Sequence, residues 1–178
     1  SPLEQCTYRE LINYTCTFEN YLNNQVNETI DKITFIVNSS IRFVSILLYA
    51  IKNNLTINFI YPHFSLDIKE KILNEFNPDI IIIDDVSMLS QKLSKKFKKT
   101  ILSNQIILYR DNETPCSHYN SVSHRDIEAS LIFYTSGSSG IPKGVLITNK
   151  NTQATHESVM NYLPLTKDDV LFCPISFL

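Results

Sequence analysis

The amino-acid sequence predicts an α/β fold in which strands and helices alternate and the sheet is mostly parallel. Three observations support this fold class: short runs of β-branched residues, amphipathic stretches between them, and four consecutive isoleucines at Ile80–Ile83. Strands that alternate with helices usually form a parallel sheet. A strand without polar alternation is typical of one that is covered on both faces. We therefore expect Ile80–Ile83 to be a buried parallel strand.

The individual elements follow from this alternation. Asn38, Ser39 and Ser40 precede an apolar-periodic stretch and can cap the helix that it forms. Asn53 and Asn54 suit the end of that helix, because Asn tolerates the left-handed backbone conformation that often ends helices. We predict strands over residues 33–37, 56–60, 80–83, 105–109, 129–134 and 144–148, and helices over residues 41–52, 66–76 and 87–99.

The start of the chain is less regular. Residues 1–32 show only a loose helical period, so they form either a peripheral layer of the domain or a preceding linker. A length of 178 residues fits one domain, which we take as 1–178. The chain begins with Ser1 rather than Met and stops at Leu178 inside an apolar stretch, so we expect both ends to be cut from a longer protein.

Composition excludes several classes of partner. The formal net charge of −2 gives no global field that would attract nucleic acid or anionic lipid. We interpret the lysine-rich stretch at residues 87–99 as a solvated helix face. No apolar run approaches the roughly 20 residues that cross a bilayer, and the first residues do not resemble a signal peptide. We expect a soluble cytoplasmic protein without a membrane span.

The cysteines and histidines do not indicate a metal site. The four cysteines are far apart and include no C-x-x-C pair, so we expect buried free thiols. The four histidines lack metal-ligand spacing on any predicted element. The sequence therefore predicts no metal-ligating residues.

All three glycines of the chain lie in one stretch, YTSGSSGIPKG. Average usage of about 7% would give about a dozen glycines spread along the chain. Glycine permits positive φ and a close approach of the backbone to a ligand, while hydroxyls, free N–H groups and a lysine can surround a polyphosphate. The candidate phosphate-binding residues are Thr135, Ser136, Gly137, Ser138, Ser139, Gly140, Lys143 and Gly144.

This stretch differs from a Walker P-loop. That motif has four residues between its glycines and then Lys-Ser/Thr at the start of a helix, whereas here Pro142 and the strand-like GVLIT follow. We predict that the loop joins two strands and binds phosphate without a helix dipole. The alternative is a simple hairpin turn, but such turns usually have about two to five residues.

The stretch LIFYTSGSSGIPKGVLITNKN resembles the signature loop of the adenylate-forming (AMP-binding) superfamily, which includes acyl-CoA synthetases, amino-acid adenylation domains and luciferases. The resemblance extends to IRFVSILLYAIKNNLTINFIYP and to DDVLFCPISFL, and so covers the chain from about residue 33 onward. It implies an incomplete N-terminal subdomain of an adenylate-forming enzyme. Many relatives carry His where this sequence has Asn149, and Thr is frequent at the position of Ser139.

The resemblance also implies a chemistry. A carboxylate would attack the α-phosphate of ATP, with Mg²⁺ present and pyrophosphate released, and the acyl- or aminoacyl-adenylate would then pass to a thiol or an amine. Coenzyme A or the phosphopantetheine of a carrier protein would be the acceptor, while fatty, aryl and amino acids all stay open as substrates. The matching loop, Thr135–Lys143, grips the β- and γ-phosphates in that family.

None of the family's catalytic residues would fall within this sequence, so we expect no catalytic residue here and an inactive excerpt. The alternatives are a truncated, non-catalytic relative that serves as a nucleotide-binding or scaffold module, and a generic phosphoprotein-binding or nucleotide-sensing α/β domain.

Overall fold

The computed structural model describes residues 5–26, 28–97, 99–105, 129–135, 142–166 and 168–170. The helices among them are α1 (Tyr8–Gln25), α2 (Ile41–Lys52), α3 (Leu66–Phe76), α4 (Gln91–Lys96) and α5 (Asn149–Tyr162). The strands are β1 (Lys32–Ile36), β2 (Thr56–Phe59), β3 (Ile80–Ile83), β4 (Thr100–Leu102), β5 (Ser130–Thr135) and β6 (Lys143–Thr148). Short 3₁₀ turns lie at Val86–Met88 and Ser103–Gln105.

The six strands form one sheet in the order β4-β3-β1-β2-β5-β6. Neighbouring strands are parallel except for β5 and β6, which are antiparallel. From β1 the chain passes through α2 to β2 on one side, and from β3 it passes through α4 to β4 on the other. The predicted α/β class with a mostly parallel sheet is therefore confirmed.

Side chains of the central strands alternate between two apolar layers. Ile33 and Phe35 of β1 lie in the layer with α1 and α2, which we call the first layer. Ile36 lies in the second layer, with α3 and α4. The isoleucines of β3 alternate in the same way, and none is more than 1% exposed. The prediction that β3 is covered on both faces is confirmed, and each buried isoleucine contributes roughly 1.5–3 kcal/mol to folding.

Helix α2 begins and ends where its capping residues predict. Ser40 is the N-cap, and its hydroxyl accepts the backbone N–H of Phe43 at 3.1 Å. At the other end Asn54 has a φ of 56°, so an asparagine takes the left-handed position that glycine usually fills. Asn77 does the same after α3, with a φ of 50°. The predicted bounds of both helices are confirmed.

Helix α1 packs against α2 in the first layer. Phe18 and Leu22 are 0% and 1% exposed, and the ring of Phe18 meets that of Tyr49 edge to face at 5.1 Å. The hydroxyl of Thr15 donates to the carbonyl of Ser45 at 3.2 Å. The weakly periodic start of the sequence thus supplies large buried side chains to the first layer.

The sequence-based prediction is wrong for residues 87–99. A single helix was expected, but a 3₁₀ turn at Val86–Met88 is followed by the short helix α4. The hydroxyl of Ser90 accepts the N–H of Leu93 and caps α4, so the helical period is interrupted there. Strand β4 then occupies Thr100–Leu102.

Two other expectations differ from the structure. The predicted strand 105–109 begins at Gln105, which instead ends a 3₁₀ turn; residues 106–109 lie outside the described residues. Free thiols were expected at all four cysteines, but Cys16 is disulfide-bonded. Isolated cysteines far apart in sequence give no indication of such pairing, because the fold decides which of them meet.

Two aspartates hold β3 against β1, one at each end. Before β3, Asp79 accepts the backbone N–H groups of Asp31 and Lys32 at 2.9 and 2.8 Å. After β3, Asp84 accepts the N–H of Asn38 at 2.7 Å and its side-chain amide at 3.0 Å. The second oxygen of Asp84 accepts the hydroxyl of Ser103 at 2.6 Å. Asp84 therefore joins three segments at the carboxyl edge of the sheet.

Strands β5 and β6 form a hairpin that packs an aromatic ring over a glycine. Tyr134 lies directly opposite Gly144. A Cβ atom at Gly144 would lie 3.3 Å from Cε1 of Tyr134 and 3.4 Å from Cγ2 of Ile132. Gly144 thus leaves room for the Tyr134 ring, and this packing explains the third glycine without a ligand.

Replacing Asp84 with alanine should lower the free energy of unfolding by about 2 kcal/mol, because three donors lose a charged acceptor. Urea denaturation of the purified chain measures this loss. Asp85→Ala is the matched control: Asp85 is exposed and caps the adjacent 3₁₀ turn by accepting the N–H of Ser87, so we expect a clearly smaller loss than for Asp84→Ala. Equal losses in the two variants would contradict the role given to Asp84.

Gly144→Val should destabilise the chain by about 1–2 kcal/mol, although valine normally favours strands, because its side chain would overlap the Tyr134 ring. In a Tyr134→Ala background the same change should be neutral or stabilising. A double-mutant cycle followed by chemical denaturation measures the coupling between the two positions. Stabilisation by Gly144→Val in the unsubstituted chain would show that the ring contact does not limit this position.

Candidate functional site

The hairpin brings Thr135 and Lys143 directly opposite each other at the ends of β5 and β6. The hydroxyl of Thr135 lies 3.5 Å from the carbonyl oxygen of Lys143. Both residues are exposed. The prediction that the Gly/Ser-rich stretch joins two strands is confirmed, since strand β6, and not a helix, follows it.

Of the eight candidate phosphate-binding residues, the structure describes Thr135, Lys143 and Gly144. The others, Ser136, Gly137, Ser138, Ser139 and Gly140, lie outside the described residues. Opposed residues of two strands project from the same face of a sheet. Thr135 and Lys143 therefore share one face, and Gly144 shares the other with Tyr134. The role of all eight residues in binding phosphate stays a prediction.

A row of stacked rings connects the first layer to the hairpin. Phe35 of β1 stacks on Phe59 of β2 with ring centroids 5.7 Å apart, and Phe59 stacks on Phe133 of β5 at 4.6 Å. Such pairs contribute about 0.5–1.5 kcal/mol each beyond their burial. Because Phe133 lies two residues before Thr135, this row ties the base of the glycine-rich stretch to the core.

A polar row crosses the same strands on the opposite face. The buried Asn58 of β2 donates to the hydroxyl of Thr34 of β1 at 3.3 Å, while its Oδ1 has no hydrogen-bond partner among the described residues. Burial raises the pKa of Tyr134 to about 12, the charge of Glu75 adds to this rise, and a weak interaction with the Asn58 side chain opposes it. Tyr134 therefore stays a neutral phenol throughout the physiological pH range.

These polar residues were not singled out from the sequence. Asn58 sits within the apolar stretch TINF, and a polar residue in a strand that is otherwise apolar was the available signal. Tyr134 gave no comparable signal, because a tyrosine is common in strands. The influence of Asn58 and Glu75 on its pKa depends on how β2, β5 and α3 pack.

A groove of about 600 Å³ lies between α3 and the hairpin. Its apolar wall includes Ile72 and Ile132, and its charged residues include Lys71, Glu75 and Lys143. This volume is in the range of small-molecule sites, about 300–1,000 Å³. The groove thus places an open space beside two of the candidate phosphate-binding residues, Lys143 and Gly144.

The sheet has a second place where α/β proteins commonly bind ligands. At the β1–β3 boundary successive connections leave in opposite directions, which is where such sheets form a crevice at their carboxyl edge. Here the polar groups are used internally, because both oxygens of Asp84 are engaged with Asn38 and Ser103. At the hairpin end of the sheet, Thr135 and Lys143 are exposed.

The end of β6 leads directly into α5. Thr148 is the N-cap, with Asn151 and Thr148 forming a reciprocal capping box. Asn149 is the first residue of α5, as its position in the sequence predicts.

The described part of the chain offers no group of three or more His, Cys, Asp or Glu side chains arranged to hold a metal ion. Across the same residues every helix is too short or too polar to span a bilayer. The cytoplasmic location stays a prediction.

Two curated proteins illustrate the relatives of this chain. Long chain acyl-CoA synthetase 8 from Arabidopsis thaliana is 23% identical over 197 residues, covering 96% of this chain and 27% of the synthetase. Bacitracin synthase 2 from Bacillus licheniformis is 25% identical over 116 residues, covering 65% of this chain and 4% of the synthase. The chain therefore spans about a quarter, or much less, of the length of these relatives.

Solved structures show the same fold. o-Succinylbenzoate CoA synthetase from Bacillus subtilis superposes with a TM-score of 0.72 at 17% identity, over 98% of this chain and 44% of the synthetase. The N-terminal subdomain of Klebsiella oxytoca NpsA matches with a TM-score of 0.64 at 22% identity, over 84% and 37%. A fatty acyl-adenylate ligase from L. pneumophila, solved with acyl adenylate and pyrophosphate, gives 0.64 at 21% identity, over 92% and 28%.

The profile of one protein family accounts for nearly the whole sequence. It matches residues 2–178 and describes AMP-binding enzymes. Together with the parallel sheet, the hairpin and the structural matches to N-terminal regions of adenylate-forming enzymes, this match shows that the chain belongs to the AMP-binding enzyme family.

Proposed function

We propose that this chain is the N-terminal part of an ATP-dependent ligase that activates a carboxylic or amino acid as its adenylate. In this proposal Thr135, Lys143 and the intervening glycines and serines bind the β- and γ-phosphates of ATP. Gly144 contributes by allowing β6 to pass close to Tyr134. Residues for the remaining steps would be supplied by other parts of a longer protein.

One observation supports the proposal above the others: an exposed hydroxyl and an exposed ammonium group lie opposite each other where a Gly/Ser-rich stretch leaves the sheet. A lysine supplies a point charge for phosphate, and a threonine hydroxyl can donate to a phosphate oxygen. The Phe35–Phe59–Phe133 row fixes the base of this stretch. A rigid base and a glycine-rich tip suit a loop that closes over a nucleotide and reopens.

In the proposed reaction, the phosphates that Thr135 and Lys143 bind are the ones that leave as pyrophosphate. A carboxylate oxygen attacks the α-phosphorus, the bond from that phosphorus to the bridging oxygen of the β-phosphate breaks, and pyrophosphate leaves with the electron pair. Lys143 would stabilise the negative charge that develops on pyrophosphate. Mg²⁺ would accompany the nucleotide and neutralise part of the same charge.

For the second step we propose transfer of the acyl group from the adenylate to a thiol, that of coenzyme A or of phosphopantetheine on a carrier protein, or to an amine, with AMP as the leaving group. The acyl-CoA synthetase among the relatives supports the first acceptor. Fatty, aryl and amino acids are all compatible with the described residues.

ATP–pyrophosphate exchange by the complete natural gene product tests the proposal. A panel of fatty, aryl and amino acids should include at least one that stimulates exchange of labelled pyrophosphate into ATP. The intact mass of the gene product should be measured first. A mass near 20.5 kDa with no exchange would favour a non-catalytic, nucleotide-binding or scaffold module.

Lys143→Ala should slow acid-dependent exchange by about 10- to 100-fold, because a charge aimed at the pyrophosphate is removed. Binding of the acid, measured by calorimetry, should change by less than about two-fold. Lys150→Ala is the matched control, since Lys150 is an exposed residue on α5 outside the loop. Unchanged exchange in Lys143→Ala would remove the role proposed for this residue.

A further inference from the structure

Strand β6 is the last strand on one side of the sheet. Among the described residues, β5 is the one strand that pairs with it. Val145 lies opposite Phe133, on the face of the first layer, and is 44% exposed. Leu146 lies opposite Ile132, on the other face, and is 58% exposed. In the part of the chain that the structure describes, β6 therefore has an open edge and exposed apolar side chains on both faces.

The sequence of β6 is typical of an interior strand. Residues 144–147 contain three apolar side chains in succession, with neither a charge nor a proline. Consecutive apolar residues are typical of a strand that is covered on both faces, as β3 is. Edge strands of natural proteins usually carry charges, prolines or bulges that prevent pairing with other strands. The middle of β6 thus has an interior sequence in an edge position.

Helix α5, which follows β6, does not bury an apolar face either. None of its residues is buried. Val159 and Tyr162 share one face because they are three residues apart, and Tyr162 is 95% exposed. No described side chain after Ala129 is buried. Because an apolar stripe on a helix normally faces a core, both β6 and α5 have apolar residues that suit a partner.

The geometry of β6 favours a continuation of the same sheet over a separate docking protein. A partner that binds a surface covers one face or one edge, whereas β6 is open at its edge and on both faces. A further strand beside β6, with helices on both of its faces, would close all three sides together. The solved relatives have room for such a continuation, since each is more than twice as long as the part that this chain covers.

We propose that β6 and α5 form the surface on which the rest of the ligase packs. A strand from the same polypeptide, beyond residue 178, pairs with the open edge of β6, and apolar residues around that strand cover Val145, Leu146 and Tyr162. The inference rests on one part of the proposed function, that this chain is the N-terminal part of a longer enzyme. It places the hairpin that carries Thr135 and Lys143 inside the complete enzyme and not at its edge.

Residue-resolved hydrogen exchange of the complete gene product tests this surface. In an antiparallel edge strand every second backbone N–H points away from the sheet and exchanges fast, whereas an interior strand has all of them hydrogen-bonded. We expect all the amides of residues 144–147 to exchange at least about 100-fold more slowly than those of an unfolded peptide. Alternating fast and slow amides along β6 would overturn the inference.

Val145→Thr gives a second measurement, because the two side chains have nearly the same shape. In the complete gene product the urea midpoint should fall by about 0.5 M, since the hydroxyl would be buried without a partner. Val86→Thr is the matched control, because Val86 is 65% exposed on a 3₁₀ turn. Its midpoint should change by less than about 0.1 M. A midpoint that Val145→Thr leaves unchanged would contradict the burial proposed for Val145.

The mass and oligomeric state of the gene product distinguish the other occupants of the surface. Protection of β6 that is found only in a dimer and is lost on dilution would assign the surface to a second copy and overturn the inference. A gene product near 20.5 kDa would overturn it together with the proposed function. A longer product with an alternating exchange pattern would overturn the inference alone, provided that an acid still stimulates pyrophosphate exchange. Full protection of β6 in a longer product that lacks this activity would support the packing and contradict the proposed reaction.

Discussion

The pairing of β3 with β1 is the constraint on which the rest of the structure depends. Each of these two strands has a neighbour on both sides in the sheet, and their side chains enter both apolar layers. Asp79 and Asp84 close the pair at its two ends by accepting N–H groups at the ends of β1. A one-residue slip would turn every isoleucine of β3 to the other layer and would separate both carboxylates from their donors.

The same pair carries a hydrogen-bond network at the carboxyl edge of the sheet. There Asp84 accepts from Asn38 and from Ser103. The strands on the other side of β1 lead toward β5 and β6, with stacked phenylalanines on one face and the Thr34–Asn58 pair on the other. A parallel sheet that is rigid through its centre thus ends in an exposed antiparallel hairpin.

Much of this arrangement could be predicted because its signals are local. Ser40 caps the start of α2 with its side chain, and Asn54 follows its end in the left-handed conformation that asparagine tolerates. Strand β3 is recognisable because four isoleucines in succession exclude a surface strand. The wrong prediction at residues 87–99 has a local cause as well. Ser90 can either continue a helix or cap one, and an apolar period with leucines on both sides of it does not distinguish the two.

The sequence by itself determined the alternation of strands and helices, the position of the glycine-rich stretch between two strands, and the residue types that suit a polyphosphate. Only the tertiary structure decided that Gly144 lies under Tyr134, that Phe35, Phe59 and Phe133 stack in one row, and that the buried Lys69 donates to the carbonyl of Pro62. The physical reason is the range of the interactions. Capping and periodicity act within a few residues, whereas strand order and register bring together residues that are distant in the chain.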